Sequence, residues 1–318
     1  LRLVAPYTFE RIDIPEPEPE SLAERQVLLK FLAAGICGSD LPGFKGTQGK
    51  LPGDVGPCAA GIDGFPIHEI VGEVLASRHP DHAVGDKVVG WASGFDGLMD
   101  IVRSDGDGLV SYDPALSPEL AIGLQPLACV LYALEQIGDL TGKRVAIIGQ
   151  GSIGLLFAYV AKALGAAHVT GVDPVDRSAL SGTFGVDKAV RSTSDRWAAR
   201  LEYPDKADVV IEAVGHQVAT LQHAVEAAAF AGTVFYFGVP DDDCYPISMR
   251  TMLRGNLTLK SGVTADRTRV LRALGAVSLR YRESPRGEVR ARALQGADDP
   301  ALRDVLGKTE QFARRLAP

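Results

Sequence analysis

The alternation of apolar and polar positions changes character part-way along the chain. In roughly the first hundred residues, short apolar runs (Val27 to Leu32, Ile70 to Leu75, Lys87 to Trp91 and Leu109 to Tyr112) are separated by clusters of Gly, Pro and Asp. Such runs predict a β-rich domain of short strands and tight turns. From Lys143 the rhythm becomes strand, helix, strand, helix. Arg144 to Ile148 predicts a buried strand, Ile153 to Leu164 an apolar-faced helix and His168 to Val172 the next strand. Asp208 to Ala213 and Thr233 to Phe237 continue the strands, with Val218 to Phe230 helical between them, and Leu257 to Val263 closes the series. That alternation builds a doubly wound parallel sheet, so the expected class is α/β.

Pro118 to Gly138 is apolar with helical period and is expected to carry the chain from one domain into the other, with the boundary near Leu120. Gly46 to Gly64, rich in Gly and Pro, is the longest loop candidate. The arginine-rich stretch Arg280 to Arg292 reads as a solvated face, and a helix is expected at Ala301 to Leu306.

Composition narrows the partner classes. At 318 residues two domains with separate cores are expected, and 46% hydrophobic with 23% charged residues is ordinary globular usage. A formal net charge of -7 speaks against a nucleic-acid surface, which needs a clustered basic excess. No apolar run is expected to reach the roughly 20 residues of a membrane span, and the first residues lack a secretory pattern. The four cysteines, Cys37, Cys58, Cys129 and Cys244, lie too far apart for a disulfide framework, which points to a reducing, cytoplasmic setting.

Two constellations carry chemistry. Gly149-Gln150-Gly151-Ser152-Ile153-Gly154 follows one predicted strand and opens a predicted helix. In a dinucleotide site the first glycine makes the tight turn, the second admits the pyrophosphate and the third lets the helix pack closely, while the helix N-terminus stabilises the anion. Asp173, about twenty residues on, sits where a carboxylate takes the ribose hydroxyls, which favours NAD over NADP. Arg177 nearby weakens that preference, and a glycine turn in another kind of crossover is the plainer alternative.

The second constellation is Gly35-Ile36-Cys37-Gly38-Ser39-Asp40 with His68-Glu69 about thirty residues later. A thiolate, an imidazole and a carboxylate are the donors zinc prefers, and a catalytic zinc keeps one position open. Taken singly, Cys37 reads as a small buried hydrophobe and His68 as surface or core filler. Their order ahead of a nucleotide motif favours a metal pair.

With Val84-Gly85-Asp86-Lys87-Val88 added, this order of motifs resembles the medium-chain dehydrogenase/reductase superfamily, in its zinc alcohol and polyol dehydrogenase branch, over about Val27 to Thr264. The resemblance implies a GroES-like β-rich catalytic domain at residues 1–120, completed by 275–318, and a Rossmann domain at 121–274. It implies that Cys37 and His68 hold zinc and that Glu69 ligates it or approaches it. Ser39 matches the hydroxyl that relays the substrate proton, and Asp40 the carboxylate that orients the zinc histidine. Nicotinamide contacts are expected at Val214, Gly238, Val239, Gly262 and Val263, beside the cofactor residues Gly149, Gly151, Ser152, Ile153, Gly154 and Asp173. Asn256 to Val263 matches the subunit-joining strand, so a homodimer or homotetramer is expected.

The chain departs from the branch in three places. Gln125 stands where the branch usually has a metal-site glutamate; an amide is a poorer, uncharged zinc ligand, able to hold a bound water instead. Pro42 replaces a proton-relaying histidine. Gly90 to Tyr112 contains none of the cysteines of a structural-zinc lobe, so one catalytic zinc and no structural zinc are expected. The leading expectation is an NAD-dependent, zinc-dependent dehydrogenase of a small secondary alcohol, polyol or the corresponding ketone. A zinc-free quinone or enone reductase of the same superfamily, or a non-catalytic NAD(H)-binding protein, are the alternatives.

Overall fold

The structure is a computed structural model that describes residues 1–46 and 63–262 together with Leu271 and Leu274. The expectations for residues 47–62 of the Gly46 to Gly64 loop, Cys58 among them, and for Val263 and the tail from Arg280 lie outside these residues. The chain divides into two compact units, one beginning at Leu1 and running to Ala128, the other beginning at Cys129.

The first unit opens on a hairpin of β1 (Arg2–Ala5) and β2 (Thr8–Glu10). Its main sheet is built from β3 (Gln26–Gly35), β4 (Glu69–Ser77), β5 (Lys87–Trp91), β6 (Ile101–Asp105) and β7 (Leu109–Ser111). They lie in the order β6-β3-β4-β5-β7, all pairs antiparallel. Alternate positions turn inward, so Val27, Leu29, Ile70, Val74, Val88, Val102 and Leu109 form one buried cluster. Beyond β3 comes a short helix, α1 (Leu41–Lys45).

Helices α2 (Pro118–Ala121) and α3 (Leu124–Ile137) follow. The turn at Ile122 and Gly123 breaks the single helix expected from the period. The sequence expectation on membrane spans is corrected here. The 20-residue stretch Pro118–Ile137, α2 and α3 with the turn between them, has hydropathy 1.5, enough to span a membrane by length and composition, yet half of it is buried inside the protein. Leu127, Ala128, Val130, Leu131 and Leu134 are each at most 2% exposed, which is how the helix of a domain core behaves.

The second unit is a six-stranded sheet in the order β10-β9-β8-β11-β12-β13, with every pair parallel. Its strands are β8 (Arg144–Ile148), β9 (His168–Asp173), β10 (Lys188–Arg191), β11 (Ala207–Glu212), β12 (Ala228–Tyr236) and β13 (Thr258–Ser261). Numbered from β8, this is the 3-2-1-4-5-6 order of a dinucleotide-binding sheet. The central strand β8 is apolar throughout after Arg144 because both of its faces are covered; Val145 to Ile148 are each at most 2% exposed. Helix α4 (Ser152–Ala163) buries Leu155, Phe157, Ala158, Val160 and Ala161 along one stripe. Shorter helices α5 (Ser181–Phe184) and α6 (Ser194–Ala198) precede α7 (Ala219–Ala227) and α8 (Met249–Gly255).

Two differences from the pattern are instructive. The helix expected to reach Phe230 stops at Ala227, and Ala228 already pairs with Ala207 of β11. The alanine run favours a helix, but strand pairing overrides that weak preference. Strand β10 is missed by the hydrophobic pattern because an edge strand keeps charged residues, here Lys188 and Arg191.

Candidate active site

Sheet register assembles the first site. Gly35, the last residue of β3, pairs with Glu69, the first of β4, and Glu69 pairs in turn with Trp91, the last of β5. Because β3 and β4 run antiparallel, Cys37 just beyond one strand and His68 just ahead of the other arrive at the same edge. The metal-donor atoms of Cys37, His68 and Glu69 all lie within 4.8 Å of one another.

Cys37 caps a single turn, Gly38–Asp40, of 3-10 type. The Asp40 N–H donates to the Cys37 side chain, and the Cys37 N–H donates to Asp40 Oδ2 at 2.7 Å. The other carboxylate oxygen, Oδ1, stands 2.7 Å from His68 Nδ1. One buried carboxylate, 3% exposed, therefore fixes both the thiol's backbone and the imidazole's orientation, leaving Nε2 of His68 for a cation. Burial disfavours charge on that ring, but hydrogen bonds with Asp40 and Cys37 outweigh it and push His68 up to about 10. Burial raises Glu69 above the usual carboxylate range, against the opposing pull of His68.

The donors fit zinc. Tetrahedral zinc with Zn–N and Zn–O near 2.0 Å and Zn–S near 2.3 Å separates its donors by roughly 3.3–3.5 Å, inside the 4.8 Å spread. Among the described residues no other trio of His, Cys, Asp or Glu donors is that close. Ser39, half-buried, lies in the same turn as Asp40. Phe95 presents its ring 5.6 Å from that of His68, at φ +54 and 53% exposed. Gln125, 2% exposed, donates from Nε2 to Glu69 Oε1 at 3.1 Å, and its oxygen accepts from Trp91 Nε1 in the orientation that satisfies both neighbours. Phe44 stacks on Phe9 with centroids 5.5 Å apart and meets Tyr7 edge-on, so it belongs to an aromatic cluster.

The second site lies at the carboxyl edge of the parallel sheet. Gly149 turns at φ +92, and a Cβ there would sit 2.9 Å from Val214. At Gly154 a Cβ would lie within 1.9 Å of the Gly149 oxygen, so only glycine lets α4 approach β8 this closely. A Cβ at Gly151 would meet no protein atom within 4 Å, which leaves the cradle at the mouth of α4 open for a pyrophosphate; Ser152 is exposed there and Ile153 half-buried. Asp173 accepts the N–H groups of Gln150 and Val175, each at 2.8 Å, and lines a small pocket with Val175, Arg177, Val190 and Arg191.

At the ends of β11 and β12 the loops carrying Val214, Gly238 and Val239 are tied together. His216 N–H donates to the Val239 carbonyl at 2.8 Å, and a Cβ at Gly238 would lie 2.3 Å from Gly215 N. Below them Glu212, fully buried, accepts the N–H groups of Val214 and Gly215 at 3.1 and 3.3 Å. Gly262 is exposed beyond the end of β13. The pattern of the sequence did not single out Gly35, Glu212 or the bridging contacts of Gln125. A signal for Glu212 existed, a carboxylate closing the apolar run Val209-Val210-Ile211 just before a glycine turn.

The chain is similar to known proteins over most of its length. Residues 23–106 match the alcohol dehydrogenase GroES-like domain family and residues 152–277 the zinc-binding dehydrogenase family. (R,R)-butanediol dehydrogenase of Bacillus subtilis (strain 168) is 28% identical over 255 residues, covering 70% of this chain and 72% of its own. L-idonate 5-dehydrogenase (NAD(P)(+)) of Escherichia coli (strain K12) is 30% identical over 227 residues, covering 59% and 63%. Among solved structures, alcohol dehydrogenase TADH from Thermus sp. ATN1 superposes with a TM-score of 0.68 at 26% identity, covering 86% of each chain. The chain belongs to the medium-chain dehydrogenase/reductase superfamily, in its zinc-type alcohol and polyol dehydrogenase branch. It is an oxidoreductase, a zinc-type alcohol dehydrogenase that uses a nicotinamide cofactor.

Proposed function

We propose that this dehydrogenase oxidises secondary alcohols or polyol-like substrates with NAD, and reduces the matching ketones in reverse, at a single zinc held by Cys37, His68 and Glu69. The observation that carries the proposal is the convergence of those three donors within 4.8 Å beneath Asp40. When bound, zinc supplies a Lewis acid for the alcohol oxygen, and the nicotinamide supplies the hydride acceptor. The remaining work belongs to the chain's own residues. Asp40 holds His68 by Nδ1, so the ring presents Nε2 in one orientation and one tautomer. Ser39, in the same turn, takes the substrate hydroxyl proton. Pro42 carries no proton-transfer group, so the proton leaves by way of water or the cofactor ribose.

Asp173 supports NAD over NADP, because a carboxylate suits the free ribose hydroxyls and repels a 2'-phosphate. The named substrates of the relatives, a butanediol and idonate, support a carbinol flanked by further hydroxyl groups. Self-association through the β13 edge is supported by Met249, Leu253 and Leu259, which are 68%, 83% and 38% exposed; a homodimer or homotetramer is expected, which sedimentation of the purified chain measures.

The test is NAD-linked oxidation across a panel of secondary alcohols, vicinal diols and sugar alcohols, run beside metal analysis. One zinc per chain is expected. Cys37→Ala should abolish turnover while NADH binding stays nearly intact, and a fully active Cys37→Ala variant overturns the proposal.

A further inference from the structure

Three residues around Glu69 have no assigned part in the chemistry: Gly35 and Trp91, placed by the sheet edge that assembles the donors, and Gln125, placed by α3. Glu69 is paired with Gly35 on one side and Trp91 on the other. Its Oε1 accepts from Gln125 Nε2 at 3.1 Å. Its Oε2 occupies the space a side chain at 35 would need, since a Cβ there would stand 2.2 Å from it. The carboxylate is thus held at Oε1 by the amide, while Oε2 fills the space left open by Gly35, in a setting where Glu69, Gln125 and Trp91 are 6%, 2% and 6% exposed.

We infer that Gln125 is a positioning residue for the metal site and not one of its ligands: its amide clamps Glu69 as the third protein donor. The inference rests on the metal reading proposed above. An amide binds zinc, where it does so at all, through its oxygen. Here that oxygen accepts the Trp91 indole N–H, a donor with little water to turn to at 6% exposure. The amide's other end presents N–H groups, which repel a cation and suit a carboxylate.

Charge balance agrees with this division of roles. A thiolate from Cys37 and a carboxylate from Glu69 already neutralise a divalent ion, with His68 neutral beside them once the ion takes the place of its Nε2 proton. A glutamate at position 125 would set a second carboxylate against Glu69, and like charges that close disfavour joint ionisation. The glutamine relieves that conflict and holds Glu69 in a single orientation.

Cobalt(II) loaded in place of zinc reports both affinity and ligand identity, through competition with a chromophoric chelator and through its absorption bands. Gln125→Leu should lose about 10–100-fold in cobalt affinity, the usual effect of removing a group that orients a metal ligand. At saturation it should keep the unaltered d–d bands and thiolate charge-transfer band. Trp91→Phe, which deletes only the N–H, should lose affinity several-fold with the same bands. Altered d–d bands in saturated Gln125→Leu, or unchanged affinity in either variant, overturn the inference. Failure of the metal reading looks different: the unaltered chain would show no thiolate band, or Cys37→Ser would leave the bands unchanged.

Discussion

Gly35 and Glu69 face each other across the pairing of β3 and β4, and the first carbon of any side chain at position 35 would come within 2.2 Å of Glu69 Oε2. The glycine is required by space and not by backbone angle, since Gly35 is absent from the positions with positive φ. Gly35→Ala should therefore fold and push the carboxylate away from Cys37 and His68. Zinc affinity is expected to fall by about 10–100-fold, as when a metal ligand loses its orienting shell. Chelator competition checks this, and an alanine variant with unaltered zinc affinity would show that Glu69 does not depend on that space.

The second and third glycines of the dinucleotide turn should separate folding from binding. Gly154→Ala forces a methyl against the Gly149 carbonyl, and overpacking of this kind costs about 1–3 kcal/mol; a lowered Tm should accompany the loss of NADH binding. At Gly151 the same methyl meets no protein atom. Gly151→Ala should melt like the unaltered chain and still bind NADH more weakly, because the lost room is the ligand's.

The proposed preference for NAD makes Asp173 the carboxylate on which cofactor choice should turn. NADH should bind more tightly than NADPH, and Asp173→Ala should narrow the gap. Some loss of affinity for both is expected too, since Asp173 also receives the N–H groups of Gln150 and Val175. Calorimetry with the two cofactors decides it; equal affinities in the unaltered protein exclude the assignment.

Glu212 predicts a pH dependence. Burial raises its pKa, more than the hydrogen bonds from the Thr220 side chain and the Val214, Gly215 and Gly238 backbone lower it. A carboxyl with a raised folded-state pKa supports stability below its unfolded value and withdraws that support as pH rises through the folded value. Glu212→Gln removes the titration while keeping an oxygen for the two N–H groups. The difference in Tm between Glu212→Gln and the unaltered chain should therefore shift in favour of the variant as pH rises from about 4.5. A difference that does not change with pH would mean that Glu212 is not held in this way.

Much of this was legible in the sequence for reasons that are local. A parallel strand buried on both faces is apolar along its length, so Arg144 to Ile148 declares itself, and the glycines of 149–154 announce a turn that other residues cannot make. Cys37, Asp40, His68 and Glu69 stand out because their chemistry is uncommon at such spacing. The break at Gly123, the end of α7 at Ala227 and the edge strand β10 were not legible. The last two are decided by what the segment pairs against, and that partner lies elsewhere in the chain.

By itself the sequence determined the alternation of the second unit, the dinucleotide turn and the donor types at the proposed metal site, all of which depend on residue identity and short spacing. Only the tertiary structure decided how those donors meet. The antiparallel register of β3, β4 and β5 places Gly35, Glu69 and Trp91 side by side, and the packing of α3 brings Gln125 onto them. A shift of one residue in that register would turn Glu69 to the other face of the sheet, because successive side chains in a strand point to opposite sides.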